Sequence, residues 1–207
     1  MFQKLFNPDN ALMLTMSQIT DCIFLSFFWV VGCFPVVTAG ASFAALYDAV
    51  FRAFRKGEKN SWRRFLQVFS DNWKAGILPT LVFLAAAAVL GWVMIQLWNA
   101  AVTGVLSWGI FAGGAVVGAA VLGGLSLLFP VLSRFENSFA GLLRNTALLA
   151  LANLPRTVCL GALNFGCVYL CVRWVFPVFF LPALGALLGS LFIEPMFKPF
   201  LPSEDAA

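Results

Sequence analysis

Between Lys74 and Arg134 the chain carries no Asp, Glu, Lys or Arg. About 20 apolar residues suffice to cross a hydrocarbon core, so this interval holds more than one crossing. The remaining composition agrees. Of 207 residues, 61% are hydrophobic and 11% charged, where a soluble domain has roughly 45–50% apolar and about 25% charged residues. So few charges cannot cover a water-facing surface. The chain is therefore read as an all-α integral membrane protein, a single polytopic domain over 1–207, with the lipid bilayer as its solvent. Its net charge of +4 is a topology signal in such a protein, and no nucleic-acid partner is expected.

Prolines, glycines and charges divide the chain into six expected spans, at about 11–34, 41–56, 75–98, 104–133, 157–173 and 176–193. They form three hairpins joined by two amphipathic segments, 61–73 and 138–153. Asn10 is the expected cap of the first span, and Pro35 ends it. Pro35, Thr38 and Gly40 make a tight turn: Pro fixes φ, Thr38 caps the next helix and Gly40 permits a close backbone approach. The apolar part of the second span, Ala41 to Phe51, is short, so that it either crosses or is re-entrant. Charge decides for crossing. With an inside N-terminus, twelve of the 13 Lys and Arg fall on one face and only Arg173 on the other, as the positive-inside rule requires. Both termini are then cytoplasmic. In segment 61–73, Trp62, Phe65, Leu66 and Phe69 share one side and Arg63, Arg64, Gln67 and Asp71 the other, the pattern of a helix lying in the interface.

Small residues mark helix packing. Gly109/Gly113 and Gly114/Gly118 are G-x-x-x-G pairs, and Gly185/Gly189 is a further one. The fourth span is expected to be the most closely packed.

Polar residues inside spans are the candidate functional groups. Thr15, Gln18, Asp21 and Cys22 form one stripe on the first helix. An ionised Asp21 at mid-span costs at least about 2.5 kcal/mol. It either contacts an ion, proton or substrate in a cavity, or is hydrogen-bonded to a neighbour such as Asn164 or Gln96. Asp48 has Arg52 four residues on and forms an i, i+4 pair. Asn164 is suited to an interhelical hydrogen bond, and Arg173 beside Trp174 is an interface anchor. Five Cys, no His and no C-x-x-C pair exclude the usual zinc sites. Neither metal nor cofactor is expected. Val30-Val31-Gly32-Cys33 resembles a lipoprotein cleavage box, but more spans follow and the segment is read as a retained helix. With no nucleophile elbow, Walker loop or paired carboxylates, no catalytic residue is assigned and no enzyme activity is expected.

The stretch Leu25 to Ser42, LSFFWVVGCFPVVTAGAS, with its Pro-x-x-Thr-x-Gly turn, resembles the YesL family of bacterial membrane proteins of unknown function. Ala44-Ala45-Leu46-Tyr47, then Trp62, Phe65, Phe69, Asn72 and Trp73, and the later Arg134-Phe135-Glu136-Asn137 and Leu154-Pro155-Arg156-Thr157, extend the likeness. Ala39 departs from it, standing where a larger aliphatic is commoner. The resemblance implies a multi-pass protein of the bacterial plasma membrane, linked with carbohydrate-uptake ABC systems, and carries over no site residues. The expectation is a non-enzymatic accessory protein with ABC transporter subunits as partners. The alternative is a small secondary transporter or channel using Asp21.

Overall fold

The computed structural model describes residues 11–57, 60–134, 139–174 and 176–197, and every regular element among them is helical. The expected Asn10 cap, the Thr15 side chain, Lys4, the 135–137 turn and the polar tail lie outside the described residues. The described residues hold nine α-helices in order: α1 (Ala11–Cys33), α2 (Ala39–Arg55), α3 (Ser61–Asn72), α4 (Ile77–Val102), α5 (Trp108–Ser126), α6 (Leu128–Arg134), α7 (Phe139–Ala152), α8 (Leu154–Arg173) and α9 (Leu181–Phe197). Single 3-10 turns at Val36–Thr38 and Phe176–Phe179 precede α2 and α9.

Four helices are antiparallel neighbours. A Cβ added to Gly114 would meet Leu97 and one on Gly118 would meet Met94, so α5 runs back along α4. Gly123 lies against the Thr157 carbonyl and Gly161 against that of Ala119, which sets α8 backbone to backbone on α5. Gly185 faces Cys167 and Gly189 faces Leu160, which returns α9 along α8. The start of α4, the end of α5, the start of α8 and the end of α9 therefore share one end of the bundle. Lys74 and Arg156 sit there, and so does α7, which carries Arg144 and joins α6 to α8. The opposite end holds the 103–107 turn and Arg173.

The first three helices build onto that bundle. The Gly40 N–H donates to Thr80 Oγ1 at 3.0 Å, seating the first turn of α2 on that of α4. Phe43 then stacks on Phe129 of α6, with centroids 5.2 Å apart, and Tyr47 reaches α9. α3 runs antiparallel beside α2: Arg64 meets Asp48, Phe69 lies by Gly32 and Ser42, and Gly76 packs on Ala41. The α2–α3 hairpin thus brings the chain back to where α2 began.

The shared start of α2 and α4 bears on the expected topology. Six crossings with a flat 61–73 segment would start α2 and α4 on opposite faces, yet the two starts are in contact. Among the described residues, four helices are long and apolar enough to cross a membrane, over Val36–Arg55, Ile77–Val102, Trp108–Ser133 and Leu154–Arg173. The amphipathic helix α3 is present, but Ser61, Phe65 and Val68 are its buried face, against protein, while Trp62 and Leu66 point outward.

Other boundaries shift for local reasons. The expected 104–133 span is interrupted at Leu127, because Pro130 has no N–H for the Ser126 carbonyl. Pro155, expected as a break, sits in the first turn of α8, where a missing N–H costs nothing. The last helix begins later than expected and runs through Glu194 and Pro195 to Phe197. Met196 and Phe197 are buried there, which offsets the backbone bond that Pro195 removes.

Candidate functional site

Buried carboxylates meet their partners on and around α2. Asp48 is fully buried. Arg52 Nε lies 3.2 and 3.1 Å from its two oxygens, the expected i, i+4 pair, and Arg64 Nε lies 2.6 Å from Oδ2. An isolated carboxylate in such a place would be too costly to stay charged, whereas two guanidinium donors satisfy it. Both arginines keep about 30% of their side chains exposed, so the cluster reaches from the core to the surface. The sequence pattern puts Arg64 on the polar side of its helix. Only the fold-back of α3 reveals its partner.

The neighbouring residue, Tyr47, donates its hydroxyl to Glu194 Oε1 at 2.8 Å, tying α2 to α9. Glu194 is only 9% exposed, although it lies just past the expected 176–193 span. Asp21 accepts a hydrogen bond from the Ser61 hydroxyl at 2.7 Å, tying α1 to the first turn of α3. Neither Asn164 nor Gln96 is its partner: Asn164 is half-buried on α8 and Gln96 is exposed on α4. Gln18 is exposed and stands outside the cluster.

The Pro35, Thr38 and Gly40 turn closes the other end of the α1–α2–α3 unit. Thr38 makes no cap bond to α2. Its hydroxyl turns back to the Gly32 carbonyl at 2.7 Å and the Pro35 carbonyl at 2.9 Å. It thereby satisfies a carbonyl of the last turn of α1, which in lipid would have no water to bond. Gly40 leaves no room for a side chain, with Phe129 at 2.9 Å and the Gly76 carbonyl at 3.0 Å from a Cβ built there. The Ser26 hydroxyl accepts from the Ala183 N–H at 3.3 Å, serving the first turn of α9 in the same way.

The glycine pairs divide. Gly114, Gly118, Gly185 and Gly189 face neighbouring helices, whereas Gly113 faces open space and Gly109 meets only Ser107 at 4.0 Å. The tightest crossing is Gly123 on Gly161, a pair no single-helix spacing could show. Among the described residues no three metal-ligating side chains come together.

Together these features describe a helical protein of membrane type, whose first three helices are fastened to a bundle by buried polar ties. Residues 22–94 are similar to a family described as "Protein of unknown function, DUF624". That span takes in the second half of α1, the turn, α2, α3 and two thirds of α4, and so includes Asp48, Arg52 and Arg64. Asp21 falls one residue short of it, and Glu194 lies far beyond. No curated protein and no solved structure matches the chain.

Proposed function

We propose that this is a non-enzymatic accessory protein of the bacterial plasma membrane that works with a carbohydrate ABC uptake system, as its YesL-like segment 25–42 implies. The observation that carries this reading is the engagement of the interior carboxylates. Asp21, Asp48 and Glu194 each bind a donor of the same chain, which is what a scaffold needs. A transporter built on Asp21 needs that carboxylate turned toward a permeant. The outer stripe of α3 gives such a scaffold a contact surface. Trp62, Leu66 and Trp73 are exposed, with Arg63 5.2 Å above the Trp62 ring and Lys74 5.3 Å above that of Trp73.

The test is co-purification in mild detergent together with sugar uptake. Recovery of an ABC importer subunit, and slowed uptake on deletion, are expected. Unchanged uptake without any such subunit would end the proposal. Proteoliposome flux that Asp21→Asn abolishes would favour the transporter instead.

The basic end is assigned to the cytoplasm, supported by Lys74, Arg144 and Arg156 lying there and Arg173 opposite. The charge split alone favours six crossings with both termini inside. The shared starting end of α2 and α4 supports five crossings, with α2–α3 as a re-entrant hairpin and the N-terminal side of α1 outside. In a cysteine-free background, single cysteines at 103 and 174 should be labelled from outside in both arrangements. Cysteines at 18 and 57, which share the end of the α1–α2–α3 unit where Ser61 meets Asp21, separate the two: five crossings turn both toward the outside reagent, six protect both.

A further inference from the structure

Where α5 and α8 touch through Gly123 and Gly161, their outer edges diverge and leave a groove of about 730 Å³ roofed by α7. Its walls are apolar: Val117, Ala120 and Val121 from α5, Leu143 and Ala147 from α7, and Val158 from α8. The small side chains make the groove, because no large residue fills the space between the three helices.

Two features say what fits it. Along α5 the lining runs from Val116 to Leu125, one residue before the helix ends, about 14 Å at 1.5 Å per residue. That is close to half of a hydrocarbon core of about 30 Å, so the groove belongs to one leaflet, the one at the basic end. Arg144 is exposed on the roof helix, next to the lining residue Leu143. Among the described residues it has no acidic partner.

We infer that this groove holds one acyl chain of an anionic phospholipid, with the lipid phosphate on Arg144. The inference needs the membrane setting but is independent of any ABC partner. The chain lies along α5 and α8 as a filler of the divergent edge, and the guanidinium selects the headgroup by charge.

Native mass spectrometry of the full chain in mild detergent tests it, with added phosphatidylglycerol or phosphatidylcholine of identical chains. Phosphatidylglycerol adducts should survive about fivefold better than phosphatidylcholine adducts, the factor one surface cation supplies. Arg144→Gln should remove the difference between the two lipids. Ala147→Trp, at an exposed position of the groove wall, should remove the adducts of both. Val117→Trp on the opposite wall gives a second blocked groove if Ala147→Trp does not yield a monodisperse protein. Equal retention of the two lipids by the unaltered chain overturns the inference, as do adducts that persist in both tryptophan variants. A mass of two chains that either tryptophan abolishes would make the groove a contact between copies and likewise overturns it.

Discussion

α2 and α4 invert the rule that governs soluble helices. The apolar stretch around α2 is 61% buried inside the protein, while that of α4, the more apolar of the two, is 11% buried. In water the greasier helix would be the hidden one. Here α4 turns Val89, Trp92 and Ile95 outward, because lipid is its solvent. α2, with Asp48 and Arg52, is the one that needs a protein wrapping. Burial in this molecule tracks polarity that must be satisfied rather than hydrophobicity that must be hidden.

The sharpest way to break this contrast is a charge on the exposed helix. Val89, at the middle of α4, is 65% exposed, yet Val89→Asp should cost about 2.5–3.5 kcal/mol of insertion free energy. A helix-insertion assay reads this directly, and a change within about 0.5 kcal/mol, typical of a water-exposed site, would remove the lipid reading. On the buried helix, Arg64→Met should cost about 3 kcal/mol in denaturant unfolding in mild detergent, since it strips a donor from a buried carboxylate. Gly40→Val comes next. It should cost roughly 1–3 kcal/mol by forcing Phe129 and the Gly76 carbonyl apart, and Thr80→Ala should add little to it, because the same contact is already lost. The smallest effect is expected at Gly113, where Gly113→Ala should change stability by no more than about 0.5 kcal/mol. A large loss there would show that the outer face of α5 has a partner.

The parts of the fold legible in the sequence are those written within one element. The uncharged interval gave the membrane class, Pro35 and Gly40 located the first turn, and the spacing of Asp48 and Arg52 gave their ion pair. What stayed hidden depends on relations between elements. The register of α3 against α2 decides that Arg64 faces Asp48, and nothing within 61–73 encodes that register. Glu194 lies beyond the expected end of the last span at 193, and the burial that lets the helix continue comes from other helices. Gly123 and Gly161 touch across a crossing, while Gly109 and Gly113 have the right spacing and no neighbour. A spacing rule sees one helix at a time. The groove beside α5 is the extreme case, since it is a space left by three helices together.

The tie between Tyr47 and Glu194 joins residues 147 positions apart. At about 5–20 residues per second of synthesis, Tyr47 waits roughly 7–30 s on the ribosome for its acceptor to be made. Until then α2 cannot be tied to α9 through this bond. Completion of the last described helix is therefore also an event in time: a chain that stalls before Glu194 lacks the bond that joins its second helix to its last described one.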